Sequence, residues 1–239
     1  MFERKRNIPR AIAGPNAVDQ QAVERAVRWV LQKDVEQSGQ SLLYMPARPN
    51  VEAEPRLQAL SRQVQTETWK TLSGSRWTGG PVLAAWPDEK HLAQIDSDGR
   101  TSALCLLVWN DRDAAGWAAA HQPEQLSPGA SMPAPASVAD PVVGEGLKTL
   151  TALVNHGNQL AGSMDHRDAV NVLQTLQDGG HRLDPQGIYA WALANGWPAK
   201  GAQRLKELAT DIAGGKRPRA VPGALRPDIL QVWQDATQQ

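Results

Sequence analysis

The chain has 239 residues and no net formal charge, because 25 Lys and Arg residues balance 25 Asp and Glu residues. This length allows one large domain or two small ones, and a hydrophobic content of 41% is ordinary for a globular protein. The single cysteine, Cys105, excludes an internal disulfide and any metal site built from several cysteines. No apolar stretch reaches the roughly 18–20 residues of a membrane span, and the N-terminus lacks the apolar core of a signal peptide. We therefore expect no membrane contact and a cytoplasmic location.

Residues 1–16 predict a flexible basic arm. Four basic side chains fall in this segment, while Pro9, Gly14 and Pro15 interrupt regular structure. An arm of this kind could supplement a phosphate-binding surface elsewhere in the protein.

Residues 17–122 alternate between helical and strand patterns, which predicts a small α/β domain. Short apolar runs bounded by proline or turn residues predict three strands, at 42–45, 81–86 and 101–109. Because helices separate these strands, the alternation favours a parallel sheet. We therefore expect a three-stranded parallel α/β sandwich. The predicted helices are 17–37, 54–72, 88–95 and 110–121.

Residues 123–140 are rich in proline, alanine and serine, which predicts a linker. Strand patterns disappear beyond it, and residues 141–239 predict an all-α bundle of about five helices. The predicted helices are 143–160, 168–178, 184–196, 199–213 and 226–235.

The stretch 183–219 predicts a hairpin that resembles a helix-turn-helix within this bundle. Asp184 followed by Pro185 is typical of a helix start, and Gly196 is typical of a helix end. A second amphipathic helix follows and leads into a short basic segment. The pattern fits a DNA-binding hairpin and fits any antiparallel pair of helices equally well.

Positive charge gathers in this hairpin. Between residues 196 and 220, six basic residues face two acidic ones, a net charge of +4, so the rest of the neutral chain carries −4. Local basicity is typical of a surface that contacts phosphates. Our first hypothesis is therefore a non-enzymatic regulatory or interaction protein that contacts DNA or RNA. The candidate nucleic-acid-binding residues are Lys200, Arg204, Lys206, Lys216, Arg217 and Arg219.

A second hypothesis is a hydrolase or nucleotide-binding enzyme. Ligands of parallel sheets bind beyond the carboxyl ends of the strands, where Asp88, Glu89, Asp111 and Asp113 fall. These carboxylates could hold a metal or activate water, and they could equally cap the next helices. The chain has no nucleophile elbow, CxxC pair or dinucleotide fingerprint, so neither a metal nor a cofactor is predicted.

A third hypothesis is a protein–protein adaptor. The chain has nine tryptophans but only one Phe and two Tyr. An exposed patch that included Trp77, Trp117, Trp197 and Trp233 would favour an adaptor, whereas buried positions would indicate core packing.

A polar cluster is predicted between two C-terminal helices. It contains 155–158 and 165–168, with His181 nearby in sequence. Such a mixture of His, Asp and Asn fits a metal or general-base site, and it fits helix caps around a polar turn equally well.

Overall fold

The computed structural model describes residues 7–15, 19–110, 112, 114–130, 133–219, 223 and 225–238. The chain divides into two compact units. The N-terminal unit is Asn7–Ala134, and the C-terminal unit begins at Pro135. None of the described helices is long and apolar enough to cross a membrane.

The N-terminal unit is built on a six-stranded sheet in which every described pair of neighbouring strands is parallel. The strand order is β3-β2-β4-β5-β1-β6. The strands are β1 (Arg10–Ala13), β2 (Leu42–Met45), β3 (Gln65–Thr68), β4 (Gly80–Ala85), β5 (Thr101–Leu107) and β6 (Glu124–Gln125). The helices are α1 (Ala22–Gln37), α2 (Pro49–Glu52), α3 (Pro55–Ser61), α4 (Glu89–Asp96) and α5 (Ala115–His121), with a 3-10 turn at Leu72–Gly74.

The expected three-stranded sandwich is wrong, because the sheet contains six strands, although the mixed α/β class is confirmed. The three predicted strands correspond to β2, β4 and β5, which are almost entirely buried. The strands that the sequence does not predict are β1, β3 and β6. They were not expected because each is short and none carries a continuous run of large apolar side chains.

Each of the three unpredicted strands lies in a segment for which the sequence predicts another structure. Strand β1 falls within 1–16, where a flexible arm was predicted, although residues 1–6 and 16 lie outside the described residues. Strand β3 falls within 54–72, where one long helix was predicted, whereas α3 ends at Ser61. Strand β6 occupies the first residues of the predicted linker 123–140.

Helices cover both faces of the sheet. Side chains alternate between the faces of a strand, and α1, α2 and α3 pack on one set of alternate residues. The buried strand residues on that face are Ala11, Ala13, Leu43, Met45, Leu83, Ala85, Ala103, Cys105 and Leu107. Tyr44 points to the other face, where its hydroxyl donates to Gln94 Oε1 on α4 at 3.4 Å. Trp117 Nε1 donates to Asp96 Oδ2 at 3.1 Å, which joins α5 to α4.

The described residues of the C-terminal unit form helices and no strands. The helices are α6 (Pro141–Leu153), α7 (Ser163–Asp178), α8 (Pro185–Ala194), α9 (Ala199–Ala213) and α10 (Ile229–Ala236), with a 3-10 turn at His156–Asn158. Helix α8 is apolar on all sides, and every residue from Ile188 to Leu193 is buried. As the sequence indicates, Asp184 caps α8 by accepting a hydrogen bond from the Gln186 N–H at 3.1 Å. The predicted hairpin is α8 and α9, which pack directly on each other and place α8 inside the unit.

A candidate ligand cavity at the carboxyl edge of the sheet

The path of the chain creates a crevice at the carboxyl edge, the edge of the sheet where the strands end. The chain leaves β1 toward α1 on one face and leaves β5 toward α5 on the opposite face. Strands β5 and β1 are neighbours in the sheet, so the segments that follow them separate. Parallel α/β sheets bind ligands at such a switch point, because the diverging loops leave a gap between them.

A cavity of about 770 Å³ lies at this position. Its floor is formed by Ile12 of β1 and by Val108, which directly follows β5. One wall comes from α5, and the others come from the segments that follow β1 and β6. We call it the switch-point cavity. Its remaining described lining consists of Gly14, Pro15, Asp19, Ala115, Ala118, Gln125, Ser127, Pro128, Gly129, Ala130 and Pro133.

Ser127 links the segments that follow β1 and β6. Its hydroxyl accepts a hydrogen bond from the Gly14 N–H at 3.0 Å and donates one to Asp19 Oδ2 at 2.6 Å. Gly14 has φ of 134°, a left-handed conformation that side chains disfavour. Glycine at this position therefore lets the backbone turn out of β1 and direct its N–H toward Ser127.

Asp19 is the only titratable side chain among the described residues that line the cavity. Its carboxylate forms an ion pair with Arg25 of α1 and accepts the Gln21 N–H at 3.1 Å. Burial by itself raises the pKa of Asp19, but the hydrogen bonds from Arg25 and Ser127 outweigh it and hold that pKa below its usual value. Asp19 is therefore an ionised acceptor at neutral pH, and a fifth of its side-chain surface is exposed.

The carboxylates of the enzyme hypothesis do not line this cavity where they are described. Asp88 caps α4 by accepting the His91 N–H at 2.8 Å, and the same carboxylate pairs with His91 Nδ1 at 2.7 Å. Glu89 lies in the first turn of α4. Asp111 and Asp113 lie outside the described residues. Asp88 therefore serves as a helix cap, the structural alternative that the sequence left open.

Three tryptophans follow strands along the same edge. Trp86 directly follows β4 and has φ of 51°, which is unusual for a large side chain. Its ring packs edge-on against Trp109 with 6.2 Å between ring centroids. Trp109 is 51% exposed. Trp69, after β3, stacks on His91 at 4.7 Å. These rings form the outer part of the carboxyl edge beyond β3, β4 and β5.

The four tryptophans of the adaptor hypothesis are buried rather than exposed, between 1% and 4%. Each indole N–H has an internal acceptor: Gln40 O for Trp77, Asp96 Oδ2 for Trp117, Thr151 Oγ1 for Trp197 and Thr149 Oγ1 for Trp233. Buried rings with paired N–H groups stabilise the fold, so these four do not provide a docking surface.

Three of the candidate nucleic-acid-binding residues lie on α9, and two of them have a defined contact with another segment of the C-terminal unit. Arg204 Nη1 donates to the Gln159 carbonyl at 2.8 Å. Lys206 Nζ lies 5.6 Å from the ring centroid of Tyr189, which is a cation–π distance. Lys200 is half-buried in the first turn of α9. Arg204 is nevertheless exposed, so its guanidinium can reach solvent while it holds the Gln159 carbonyl.

The other three candidates follow α9 and are exposed. Lys216 Nζ pairs with Asp211 at 2.8 Å, and Arg217 Nη1 pairs with Asp178 at 2.7 Å. Arg219 is exposed as well. Four of the six predicted residues are therefore exposed, and three of these four lie together in the segment after α9.

The polar cluster between α6 and α7 stabilises a turn. Asp165 accepts the Asn155 N–H at 3.2 Å and a hydrogen bond from the Asn158 side-chain amide. His156 Nε2 lies 3.1 Å from the Thr151 carbonyl oxygen. The described residues contain no group of three or more His, Cys, Asp or Glu side chains that could hold a metal ion.

Sequence reasoning missed the residues of the switch-point cavity. Asp19 and Ser127 are separated by most of the N-terminal unit and meet only because β1 and β6 are neighbours. The local signal for this site is the Gly14-Pro15 break just after β1, which by itself predicts a flexible arm.

The C-terminal unit is similar to a known family. Residues 139–234 match the model of a domain of unknown function (DUF1889), which covers less than half of the chain. No curated protein and no solved structure matches the chain.

Proposed function

We propose that the protein is a regulatory protein whose N-terminal unit binds a small molecule in the switch-point cavity. The supporting observation is the coincidence of two independent features. A cavity of about 770 Å³, within the roughly 300–1,000 Å³ typical of ligand pockets, lies where the segments after β5 and β1 diverge. Chain topology alone favours a ligand at that place.

The lining favours binding over catalysis. Asp19 is ionised, with a lowered pKa, so it is a weak general base near neutral pH. The Ser127 hydroxyl already donates to Asp19, and a carboxylate without an intervening base does not activate a serine as a nucleophile. The Asp19 carboxylate next to the aliphatic floor of Ile12 and Val108 can bind a ligand that has both hydrogen-bond donors and apolar surface.

A cavity-blocking variant tests this proposal. Ala115 lines the cavity from the exposed first turn of α5, so Ala115→Trp fills the opening without replacing a core residue. Ala59→Trp, at an exposed position of α3 away from the lining, is the matched control. We expect fluorine NMR with a library of fluorinated fragments to detect ligands that bind the wild type and Ala59→Trp but not Ala115→Trp. Equal binding by all three proteins, or no binding by any, would refute a role for this cavity.

A second candidate function is contact with nucleic acid through Lys216, Arg217 and Arg219. The observation that favours it is their common exposure in the segment after α9. The carboxylates that pair with Lys216 and Arg217 are also at the surface. Exposed ion pairs contribute little to stability, so phosphates can replace these carboxylates at small cost.

Salt dependence tests the second candidate. We expect fluorescence anisotropy with labelled single-stranded and double-stranded DNA and RNA to show binding that weakens steeply as salt increases, because each contacted phosphate releases counterions. Replacing all three residues with Ala should remove most of that dependence. Arg182→Ala, at another exposed basic position of the same unit, should leave it unchanged. Absent or salt-independent binding would eliminate this candidate.

A further inference from the structure

Asp19 is the charged hydrogen-bonding group in the described lining of the switch-point cavity, which also includes the side-chain amide of Gln125. The Asp19 Oδ2 atom interacts with Ser127 and Arg25, whereas the contact shown for Oδ1 is a single backbone N–H at 3.1 Å. A carboxylate oxygen accepts more than one hydrogen bond. Asp19 therefore presents an ionised acceptor to a ligand that brings its own donors.

The charge around the cavity disfavours an anionic ligand. No Lys or Arg occurs among the described residues of the lining. Arg25 of α1 contacts Asp19 and is already paired with it. A phosphate group in the cavity would lose its hydration beside a carboxylate without gaining a cation. The pair of Asp19 and Arg25 has no net charge, so an uncharged ligand fits best.

The opposite side of the cavity is aliphatic. Ile12, Val108 and Ala118 present apolar surface at the strand ends and on α5. A ligand whose surface is entirely polar would leave these side chains without an apolar partner. Burial of apolar surface is a main source of binding affinity. The ligand therefore needs a flat or apolar portion next to its hydroxyl groups.

From these features we propose that the switch-point cavity binds an uncharged nucleoside. The ribose cis-diol donates hydrogen bonds to Asp19, and the base lies against Ile12, Val108 and Ala118. Ser127 positions the carboxylate by donating to Asp19 Oδ2 while its hydroxyl accepts the Gly14 N–H. This inference rests on the proposed binding function and adds the chemical class of the ligand.

Isothermal titration calorimetry on the full chain tests the proposal with adenosine, guanosine, cytidine, uridine, 2′-deoxyadenosine and adenosine 5′-monophosphate. We expect at least one of the four ribonucleosides to bind the wild type. If adenosine binds, 2′-deoxyadenosine should bind about tenfold more weakly or worse, because a hydrogen bond to a charged group is lost. The 5′-monophosphate should also bind more weakly than adenosine. These comparisons use the wild-type protein, so they do not depend on whether a variant folds.

Variants of the lining test whether the nucleoside binds in the switch-point cavity. Asp19→Asn and Ala115→Trp should each weaken binding of the preferred ribonucleoside by tenfold or more. Asp228→Asn, which removes an exposed carboxylate paired with Arg226 in the other unit, should have no effect.

Equal affinity for adenosine and its 2′-deoxy form would overturn the role of the diol, and tighter binding of the monophosphate would overturn the preference for an uncharged ligand. If none of the ribonucleosides binds while fluorinated fragments still occupy the cavity, the ligand class is wrong and the binding function stands. If neither nucleosides nor fragments bind, both proposals fail.

Discussion

Asp96, the last residue of α4, is a buried carboxylate held by three side chains. Arg10 Nη2 lies 2.8 Å from Oδ1, while Trp117 Nε1 and His121 Nε2 lie 3.1 and 3.4 Å from Oδ2. Burial by itself raises the pKa of Asp96, but the contacts with His121 and Arg10 outweigh it and hold that pKa well below its usual value. This carboxylate joins the start of β1 to α4 and α5.

Removing the charge of Asp96 should destabilise the N-terminal unit. Asp96→Asn removes the charged carboxylate from its buried ion pair with Arg10, and breaking a buried pair in this way costs about 3–5 kcal/mol. We expect the loss to appear in urea unfolding at pH 7 followed by tryptophan fluorescence. The exposed carboxylate Asp228 supplies the control, since Asp228→Asn should change little. A loss no larger than in that control would show that the buried pair contributes nothing.

The same residue predicts how stability depends on pH. Because the pKa of Asp96 is lowered in the folded state, its contribution is fully present above the unfolded pKa of about 3.9 and is lost as pH falls toward the folded pKa. The difference in unfolding free energy between wild type and Asp96→Asn should therefore shrink as pH falls below about 4. Urea unfolding at stepped pH measures it, and a constant difference down to pH 3 would contradict the assignment.

Individual site residues were harder to predict than the elements that carry them. Asp184 was recognisable as a cap because its partner lies two residues away. Asp19 and Ser127 gave no such signal, since their contact depends on strand order rather than on local sequence. Short-range sequence patterns predict contacts between residues that are close in the chain. The cavity depends on contacts between residues that are far apart in the chain, such as Asp19 and Ser127.

At the scale of single elements, the end of α1 is strained. Ser38 occupies its C-cap with φ of 50° and ψ of 38°, a left-handed conformation that disfavours a β-carbon. Glycine accepts this conformation, so Ser38→Gly should raise the free energy of unfolding by about 0.5–1 kcal/mol, after subtracting the entropy that glycine adds to the unfolded chain.

Thermal unfolding of Ser38→Gly beside Ser61→Gly checks this expectation. Ser61 ends α3 and its hydroxyl donates to the Gln58 carbonyl at 2.8 Å, so glycine there should lower stability. A lower unfolding temperature for Ser38→Gly than for wild type would show that the Ser38 side chain makes a compensating contact.

The elements themselves were predictable where apolar periodicity was strong. Strands β2, β4 and β5 and helix α9 carry clear patterns, and their positions follow from the sequence. Strand β3 is QTET and half-buried, so its polar side chains resemble the exposed face of a helix. Strand β1 alternates two buried alanines with half-buried residues, which leaves too little apolar surface to stand out.

At the scale of the whole chain, the C-terminal unit has a core of its own. Leu147, Leu173, Ile188 and Leu205, from four different helices, are fully buried. Trp233 joins α10 to α6 by donating to Thr149 Oγ1 at 2.8 Å. The similarity to the family model falls entirely within this unit.

We therefore expect residues 135–239 to fold alone. A fragment with its own core and complete helix pairs should unfold cooperatively. Circular dichroism should show a helical spectrum and a sigmoidal melting curve. The same fragment with Trp233→Ala should melt at a lower temperature, because it loses a buried ring that packs α10. A gradual, non-cooperative melt of the parent fragment would contradict independent folding.

The position of β1 also has a consequence for synthesis. Of the described strands of this unit, β1 is translated first, yet its neighbours in the sheet are β5 and β6, which are translated last. Arg10 pairs in register with Leu104, so nearly the whole unit must be translated before β1 finds a partner. Folding of this unit therefore has high contact order, which slows closure of the sheet. The nascent chain carries β1 unpaired during that interval, and unpaired strand edges make partly folded chains prone to aggregation.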